Sequence, residues 1–489
     1  MRRPASVLLV SLLAGCQFAP PHERPESPTA PRYPQAYNSD AGGVAPASIG
    51  WRDFLLDPRL QVLIESALER NRDLQVAVER IEEARGQFRV QDADRYPSLG
   101  LNADASRGRF PTGASGALGT SAGAGAQGSS AAAAGSGGVI ERYSLGIGIT
   151  AFELDFWGRV RNLSEAARAQ YLATVEAQRA FRLSLIADVS ATYLAVREAD
   201  ERIALAEATV RSRRDGLRIA QVRFDAGITS ALDFNQAQAL LTQAETELAA
   251  LRLTRAQQLN FLTQLIGGEP PAPLPDANAL ARQTNPVTLA AGLPSELLLV
   301  RPDILAAEEQ LRAARANIGV ARAAFFPQVS LTGSAGYAST ELNNLIGSDN
   351  RTWSIGPSIS LPLFDFGRNR GNLTVAEARE NIAIAEYERA IEVAFREVAD
   401  ALAGRRYLAE QVAAQQENVA TLRRIAELAQ ERYAEGVVNY LEVLDAERNR
   451  FDAEQALIQV QRAQVQNLIE LYVALGGGTA STANETAAR

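Results

Sequence analysis

The sequence has very few of the residues from which catalytic and metal centres are built. Its 489 residues include one cysteine, one histidine (His22), no lysine and a single methionine at position 1. A zinc site needs several histidine, cysteine or carboxylate ligands, and a serine-histidine-aspartate triad needs a histidine held in place. His22 lies among prolines, and we interpret it as a solvated linker residue. The sequence therefore predicts a protein that is not an enzyme and holds neither a metal nor a bound cofactor.

Long apolar runs and an excess of positive charge are also missing. Beyond the N-terminus, no run reaches about 18 consecutive apolar residues, the length of a membrane-spanning helix. A bundle of transmembrane helices is therefore excluded. A transmembrane β-barrel is not, because its strands alternate and leave only a weak hydropathy signal. The formal charge of −8 argues against nucleic acid as a partner.

The N-terminus has the features of a bacterial export signal that ends at the single cysteine. Two arginines precede an apolar run that is too short to span a bilayer. The sequence Leu13-Ala14-Gly15-Cys16 resembles a lipobox, so we expect removal of residues 1–15 as a signal peptide and acylation of Cys16. Gln17 fits sorting to the outer membrane. Residues 16–50, rich in Pro, Ser and Ala, are predicted to form a lipidated N-terminal tether.

The remainder of the chain contains one unit twice. We place the first repeat at 51–268 and the second at 295–476, with an inter-repeat, equatorial linker at 269–294 and a flexible tail at 477–489. A period of about 210 to 230 residues is far longer than that of solenoid repeats, and it indicates a duplicated domain half. The matching motifs are Asn71-Arg72-Asp73-Leu74 with Arg301-Pro302-Asp303-Ile304, Arg223-Phe224 with Arg432-Tyr433, Gly227 with Gly436, and Leu232-Asp233 with Leu441-Glu442.

Each repeat predicts the same order of helices and strands. A helix of about 35 residues ends at a Tyr-Pro or Phe-Pro pair, because proline disfavours helical conformation in the residue before it. Two strands follow, and then come a helix of about 65 residues, a glycine turn and another helix of about 35 residues, with apolar residues at helical spacing. The strands alternate over about ten positions, as in membrane barrels. They are expected at about 97–107, 143–153, 328–338 and 353–364.

Two motif matches carry no function. A GxGxxG motif (Gly123, Gly125 and Gly128) lies in the Gly/Ala-rich run 108–138. Dinucleotide binding would need a strand before the motif and a helix after it, so we expect an external loop instead. Asp365-Phe366-Gly367 matches a kinase motif without the lysine and catalytic loop that kinases need, and we expect a strand end that turns into a helix.

Four strands are too few to close a membrane barrel, since the smallest have about eight. An open sheet edge in lipid would leave backbone groups without hydrogen-bond partners. The chains must therefore associate, and three copies would give twelve strands. The long helices are too polar for the bilayer and are expected to extend into the periplasm.

The duplicated helix-strand-strand-helix order resembles the outer membrane factor (TolC-like) family. The segment from Gly292 to Ile304 is similar to the signature of its NodT-type lipoprotein branch, which serves resistance-nodulation-division (RND) efflux pumps; Val300 stands where arginine is more usual. The resemblance implies an α+β membrane protein that forms, as a homotrimer, a 12-stranded outer-membrane β-barrel on a long periplasmic α-helical barrel. It also implies two protein partners, a periplasmic adaptor and an inner-membrane RND pump, and contact with outer-membrane lipid.

The same resemblance implies a gate at the periplasmic tip. The positions that match the family's inward-facing rings are Leu441, Asp445 and Arg448, with Glu442 as a further acidic candidate. The first three share one helix face: leucine rings would block the bore, aspartate rings would select cations, and Asp445–Arg448 pairs would tie the helices shut. The helix-turn tips at Gly227 and Gly436 are the expected adaptor contact.

Two alternatives to a drug or small-molecule efflux channel remain open. A type I protein-secretion duct would keep the same fold with a different cargo, although the lipobox and the signature favour efflux. A lipid-anchored coiled-coil structural protein would explain the helices but not four alternating strands. The transported substrates are not encoded in any recognisable motif.

Overall fold

The computed structural model describes residues 17–34, 43–109, 139–283, 289–290, 292 and 294–479. Cys16, the predicted signal peptide and the GxGxxG motif lie outside these ranges. The described residues form two compact units. Unit 1 takes in the described part of residues 1–25, together with 81–174 and 307–387, and unit 2 takes in the described parts of 26–80, 175–306 and 388–489.

The helices of the described chain repeat in the same order in each half. Within the described ranges, every helix is too short or too polar to cross a membrane. Their bounds are α1 Trp51–Phe54, α2 Pro58–Arg70, α3 Arg72–Ala93, α4 Arg159–Asp225, α5 Ala231–Leu265, α6 Pro294–Val300, α7 Pro302–Ala323, α8 Arg368–Ala434 and α9 Tyr440–Ala474.

The first helix of each repeat is broken in two, contrary to the prediction of one helix of about 35 residues. The breaks fall at Asn71 and Arg301, inside the repeated motif. Asn71 has extended backbone and caps α3, since its side-chain oxygen accepts a hydrogen bond from the N–H of Leu74 at 2.8 Å. Pro302 follows Arg301 and disfavours helical conformation there.

The broken motif also fastens the end of the last helix of each repeat. The Asn71 amide donates to the carbonyl oxygen of Leu265 at 2.8 Å, and Arg301 donates to the carbonyl oxygen of Ala474 at 3.0 Å. Helix ends leave carbonyls without partners inside the helix, and these bonds satisfy one in each repeat. Buried Arg301 is also paired with Glu397 at 2.8 Å. The duplicated motif therefore has a duplicated structural role.

Unit 1 contains a four-stranded antiparallel sheet in the order β1-β2-β3-β4, with bounds β1 Leu99–Arg109, β2 Val139–Glu153, β3 Gln328–Ser339 and β4 Arg351–Ser360. Among the described strands, β1 and β4 each have one neighbour and are the edges. The strand ends differ from the predicted ones by up to four residues. β4 stops at Ser360 and not at 364. Asp365 then caps α8, accepting the N–H of Asn369 at 2.9 Å, so the expected strand-to-helix turn is confirmed.

The two faces of this sheet differ in polarity. Directly paired residues share a face, and one face carries pairs such as Leu101 with Ile147 and Ala335 with Trp353. This face is also exposed: Leu101 is 72% and Trp353 78% accessible. The other face is polar, and Ser334 and Ser354 hydrogen-bond on it at 2.8 Å. The apolar face has the composition of a surface that contacts lipid.

A buried carboxylate fastens part of the linker between the repeats. Asp57 is fully buried in unit 2 and caps α2 by accepting the N–H of Arg59 at 2.8 Å. Its second oxygen accepts the hydroxyl of Tyr193 at 2.8 Å and the backbone N–H of Asn278 at 3.0 Å. Burial, followed by the bond to Asp57, raises the pKa of Tyr193. One side chain thus holds a helix start, the long helix α4 and the linker.

Residues 17–25, here called the strap, are packed against α7, whose Arg315 and Arg322 donate to the backbone carbonyls of Glu23 and Phe18. His22 and Arg24 donate hydrogen bonds to the same oxygen of Glu308, at 3.0 and 2.9 Å, so His22 is not a solvated linker residue. The side chain of Glu308 is only 6% exposed. Burial opposes its charged form, yet the two hydrogen bonds outweigh burial and lower the pKa of the carboxyl. Phe18 stacks on Phe326 with ring centres 4.7 Å apart.

Candidate functional site

Two turns with the same geometry end the long helices α4 and α8. Gly227 and Gly436 have φ angles of +69° and +74°, in the left-handed region where a side chain is strained. In the second turn the N–H of Val437 donates to the carbonyl oxygen of Arg432 at 2.9 Å, and the first turn has the equivalent bond. These bonds satisfy carbonyls at the helix ends. The sequence located both turns, and their contact with an adaptor stays a prediction.

Different side chains cap the helices that leave these turns. Ser230 caps α5 by accepting the N–H of Asp233. The Asp233 carboxylate in turn accepts the hydroxyls of Thr229 at 2.7 Å and Ser230 at 2.9 Å. These bonds, with that of Thr229 the strongest, lower the pKa of Asp233. Asn439 caps α9 by accepting the N–H of Glu442, which leaves the Glu442 carboxylate available for an ion pair.

The predicted gate residues lie on the first turns of α9. Leu441 is 46% exposed, and Asp445 and Arg448 are about half exposed. Val443 and Ala446, on the opposite side of the helix, are buried in a small apolar cluster. The helix face with the predicted gate residues is therefore turned away from the packed core of the chain. The gating role of these residues stays a prediction.

Within one chain, Asp445 and Arg448 form an ion pair with each other along α9, and their role in tying helices together stays a prediction. The paired atoms lie 3.1 Å apart within α9, at positions i and i+3. Such positions are neighbours on the surface of one helix, so the pair forms without any contact to a second helix. Next to the turn, an ion pair joins Arg432 of α8 to Glu442 of α9, at 2.7 Å.

Sequence reasoning missed the contact that joins the two tips. Arg223, near the end of α4, donates a hydrogen bond to the hydroxyl of Tyr433, near the end of α8. The Arg223 guanidinium also lies 4.9 Å from the centre of the Tyr433 ring, within the range of a cation–π interaction. Tyr433 packs in turn against Tyr440 of α9, with ring centres 5.1 Å apart.

The repeat gave no signal for this contact, because both halves have the same types of residue at the positions concerned. Arg223 and Arg432 occupy equivalent positions, and so do Asp233 and Glu442. Arg432 pairs with Glu442, whereas Asp233 accepts the hydroxyls of its own cap. Arg223 therefore lacks the carboxylate that its counterpart has in the second hairpin, and it bonds to Tyr433 across the two hairpins instead.

A groove of about 260 Å³ lies behind the Arg223–Tyr433 contact and is lined by α4, α5, α8 and α9. Arg213, which interrupts the apolar stripe of α4 in the sequence, lies at this groove. It donates to the carbonyl oxygen of Leu240 at 2.9 Å and lies over the Phe451 ring. Burial lowers its pKa. Near the tips the hairpins thus meet around a partly open space.

Comparison with protein families identifies the chain. The model of the outer membrane efflux protein family matches residues 63–268 and 293–477, which are the two repeats.

Relatives match over nearly the whole length. The chain is 41% identical over 477 residues to the solvent efflux pump outer membrane protein SrpC of Pseudomonas putida, covering 97% of both chains. It is 39% identical over 472 residues to the cation efflux system protein CusC of Escherichia coli, covering 95% of this chain and 96% of that one.

Solved structures match equally well. A membrane protein from Pseudomonas aeruginosa superposes with a TM-score of 0.85 at 39% identity, covering 95% of this chain and 98% of that one. The open state of the MtrE outer membrane channel of Neisseria gonorrhoeae superposes with a TM-score of 0.84 at 37% identity, covering 95% and 99%.

These matches confirm the predicted fold class, in which helical-barrel and β-barrel parts form a channel, and they confirm the outer membrane as its location. They give no support to the protein-secretion alternative. The relatives are channel and transport proteins. The chain belongs to the outer membrane efflux protein family and is the outer-membrane channel component of an efflux pump.

Proposed function

We propose that three copies of this chain close one twelve-stranded barrel. The observation that supports this is the sheet of unit 1, which has an exposed apolar face and two edge strands, β1 and β4. In lipid, each unpaired backbone group of an open edge costs several kcal/mol. Joining β4 of one copy to β1 of the next removes every edge. Native mass spectrometry of the purified protein should give three times the chain mass, and any other stoichiometry would contradict the trimer.

The trimer is proposed to conduct small molecules passively, without catalysis of its own. We propose that a periplasmic adaptor and an inner-membrane RND pump deliver the cargo to it. The relatives that serve solvent, toluene and cation efflux favour small molecules or ions over proteins as the cargo. Deletion of the gene should raise intracellular accumulation of a fluorescent organic substrate, and reintroduction of the wild-type gene should restore export. Unchanged accumulation would contradict the efflux role.

The periplasmic gate is proposed to lie at the two hairpin tips, with Leu441 and Asp445 facing the bore. Their exposure on the open side of α9 supports this assignment, and so does the Arg223–Tyr433 contact, which holds one hairpin against the other. The double substitution L441A/D445A is expected to raise ion leakage through trimers in planar bilayers. If the double variant conducts like wild type, these two residues do not form the gate.

Cys16 is proposed to carry the covalent lipid. The strap supports this indirectly, because Phe18 packs against Phe326, next to the start of β3. Two residues of chain span about 7 Å at most, so acyl chains on Cys16 would enter the bilayer near the strand ends. Intact-mass measurement should show the chain without residues 1–15 and with added acyl mass, and C16S should lack that mass. An unacylated wild-type chain would contradict this.

A further inference from the structure

The apolar face of the sheet ends in arginines. Following the pairs along this face, Arg107 and Arg109 lie at the end of β1, and Arg351 lies at the start of β4. All three are on the same face as Leu101 and Trp353. They lie at the strand ends that are remote from the helices, where β1 leads towards β2 and β3 towards β4.

Two of these arginines have no acidic partner among the described residues. Arg107 is paired with Glu141 at 3.1 Å. No described carboxylate lies within ion-pair distance of Arg109 or Arg351. Residues 110–138, which follow Arg109, contain no charged side chain. The acidic residues of the β3–β4 connection, Glu341 and Asp349, partly offset the charge at this end without pairing to either arginine.

The strand register brings the two edges together when copies join. Ala103, Leu145, Tyr337 and Arg351 form one row across the four strands. Beyond this row, β1 continues for six residues to Arg109, whereas β4 starts at the row itself. From β1 to β4 the row therefore moves towards the strand ends that are remote from the helices.

The tilt of strands in a barrel then predicts what lies beside Arg351. Strands tilted by about 40° and spaced about 4.8 Å apart shift a row by about 1.2 residues per strand. Over four strands the shift is about five residues. The row therefore meets β1 of the next copy at about residues 107–109, where Arg107 and Arg109 are the side chains on the apolar face.

We propose that Arg351 of one copy and Arg107 and Arg109 of the next form a basic site that binds the phosphate groups of a lipid in the outward-facing leaflet. The inference rests on the proposed trimer, which would carry three such sites. Guanidinium groups match phosphate through two parallel hydrogen bonds. The apolar face directly beneath, with Trp353 next to the row of Arg351, receives the acyl chains of the same molecule. The site thus recognises both ends of a phosphate-bearing lipid.

The experiment measures lipid bound to the trimer by native mass spectrometry. Wild-type trimers in detergent are titrated with bisphosphorylated lipid A, and in parallel with lipid A from which both phosphates have been removed. The variant R109Q/R351Q removes the two unpaired charges. The matched control is R142Q, because Arg142 lies at the same end of β2 on the polar face.

Wild type is expected to hold up to three bisphosphorylated lipids per trimer and to bind the dephosphorylated form more weakly. Each arginine charge at a membrane surface contributes about fivefold to the affinity. R109Q/R351Q should therefore bind the bisphosphorylated lipid about 25-fold more weakly than wild type, and R142Q should bind it with the affinity of wild type. Added salt should weaken binding in wild type more than in the double variant.

The inference is wrong if the double variant binds like wild type, if both lipid forms bind equally, or if R142Q has the same defect as the double variant. Such results would mean that the arginines only mark the boundary between the apolar face and water and do not bind the lipid phosphates. Trimer mass and ion conductance are recorded on the same samples. A protein that forms no trimer would refute the proposed function itself, whereas conducting trimers without phosphate preference would refute only the lipid site.

Discussion

Removal of the Arg223–Tyr433 contact is predicted to open the periplasmic tip. R223A removes a hydrogen bond with a charged donor and a cation–π interaction between half-buried partners. Together these contribute about 1–2 kcal/mol per chain after allowance for partial exposure. If three tips open together, the closed state loses about 3–6 kcal/mol, which raises the open-to-closed ratio by about 10² to 10⁴.

The measurement is the conductance of single trimers in planar bilayers at fixed voltage and salt. R223A should show long-lived open events that are rare in wild type. Y433F removes the hydroxyl but keeps the ring, so its open probability should fall between those of wild type and R223A. R424A is the matched control, because Arg424 is an exposed arginine of α8 that pairs with Glu427 within the same helix.

Three results would refute this reasoning in different ways. Equal conductance of R223A and wild type would show that the contact does not hold the tip closed. Equal effects of R424A and R223A would show that loss of positive charge, and not the contact, opens the channel. A Y433F effect as large as that of R223A would assign all of the stabilisation to the hydrogen bond.

Further substitutions test the supporting structure. D57A should lower the free energy of unfolding by about 2–4 kcal/mol, measured by denaturant titration in detergent, because it removes a helix cap and leaves the buried Tyr193 hydroxyl unpaired. Hydrogen exchange of the strap should become faster as the pH falls below about 4.5. The lowered pKa of Glu308 contributes stability above its unfolded pKa, and this contribution is lost as the pH falls through the folded pKa. At neutral pH the strap of E308Q should exchange as fast as that of wild type at low pH, and protection that survives in E308Q would contradict a role of Glu308 in holding the strap. G436A should lower the free energy of unfolding by about 1 kcal/mol, because the backbone of Gly436 is left-handed. G86A, at a helical position with open space around it, should leave that free energy unchanged or raise it. Equal losses of stability in the two variants would refute the strain argument.

The sequence was sufficient for features that depend on neighbours a few residues apart. Alternation around Leu101 and Trp353 located strands because side chains on a strand repeat every two residues. The long helices α4 and α8 have 67 residues each, close to the predicted length of about 65, since helical spacing and the absence of proline act locally. The duplication doubled each of these signals. The signature from Gly292 to Ile304 then indicated the family, which the comparisons confirmed.

Local patterns failed where the outcome depended on a distant partner. The break at Asn71 was not predicted, although the break at Arg301 could have been, because Pro302 restricts the residue before it. His22 was taken for a linker residue, yet it bonds to Glu308, which lies 286 positions away.

By itself the sequence determined most of the secondary structure, the two repeats and the turns at Gly227 and Gly436, because these follow from backbone preferences and from spacings of a few residues. Only the tertiary structure decided which side chains meet at the tips. Arg223 and Tyr433 are 210 positions apart, and their contact exists because two separate hairpins pack side by side. Such packing depends on the whole set of buried side chains, and no local motif encodes it.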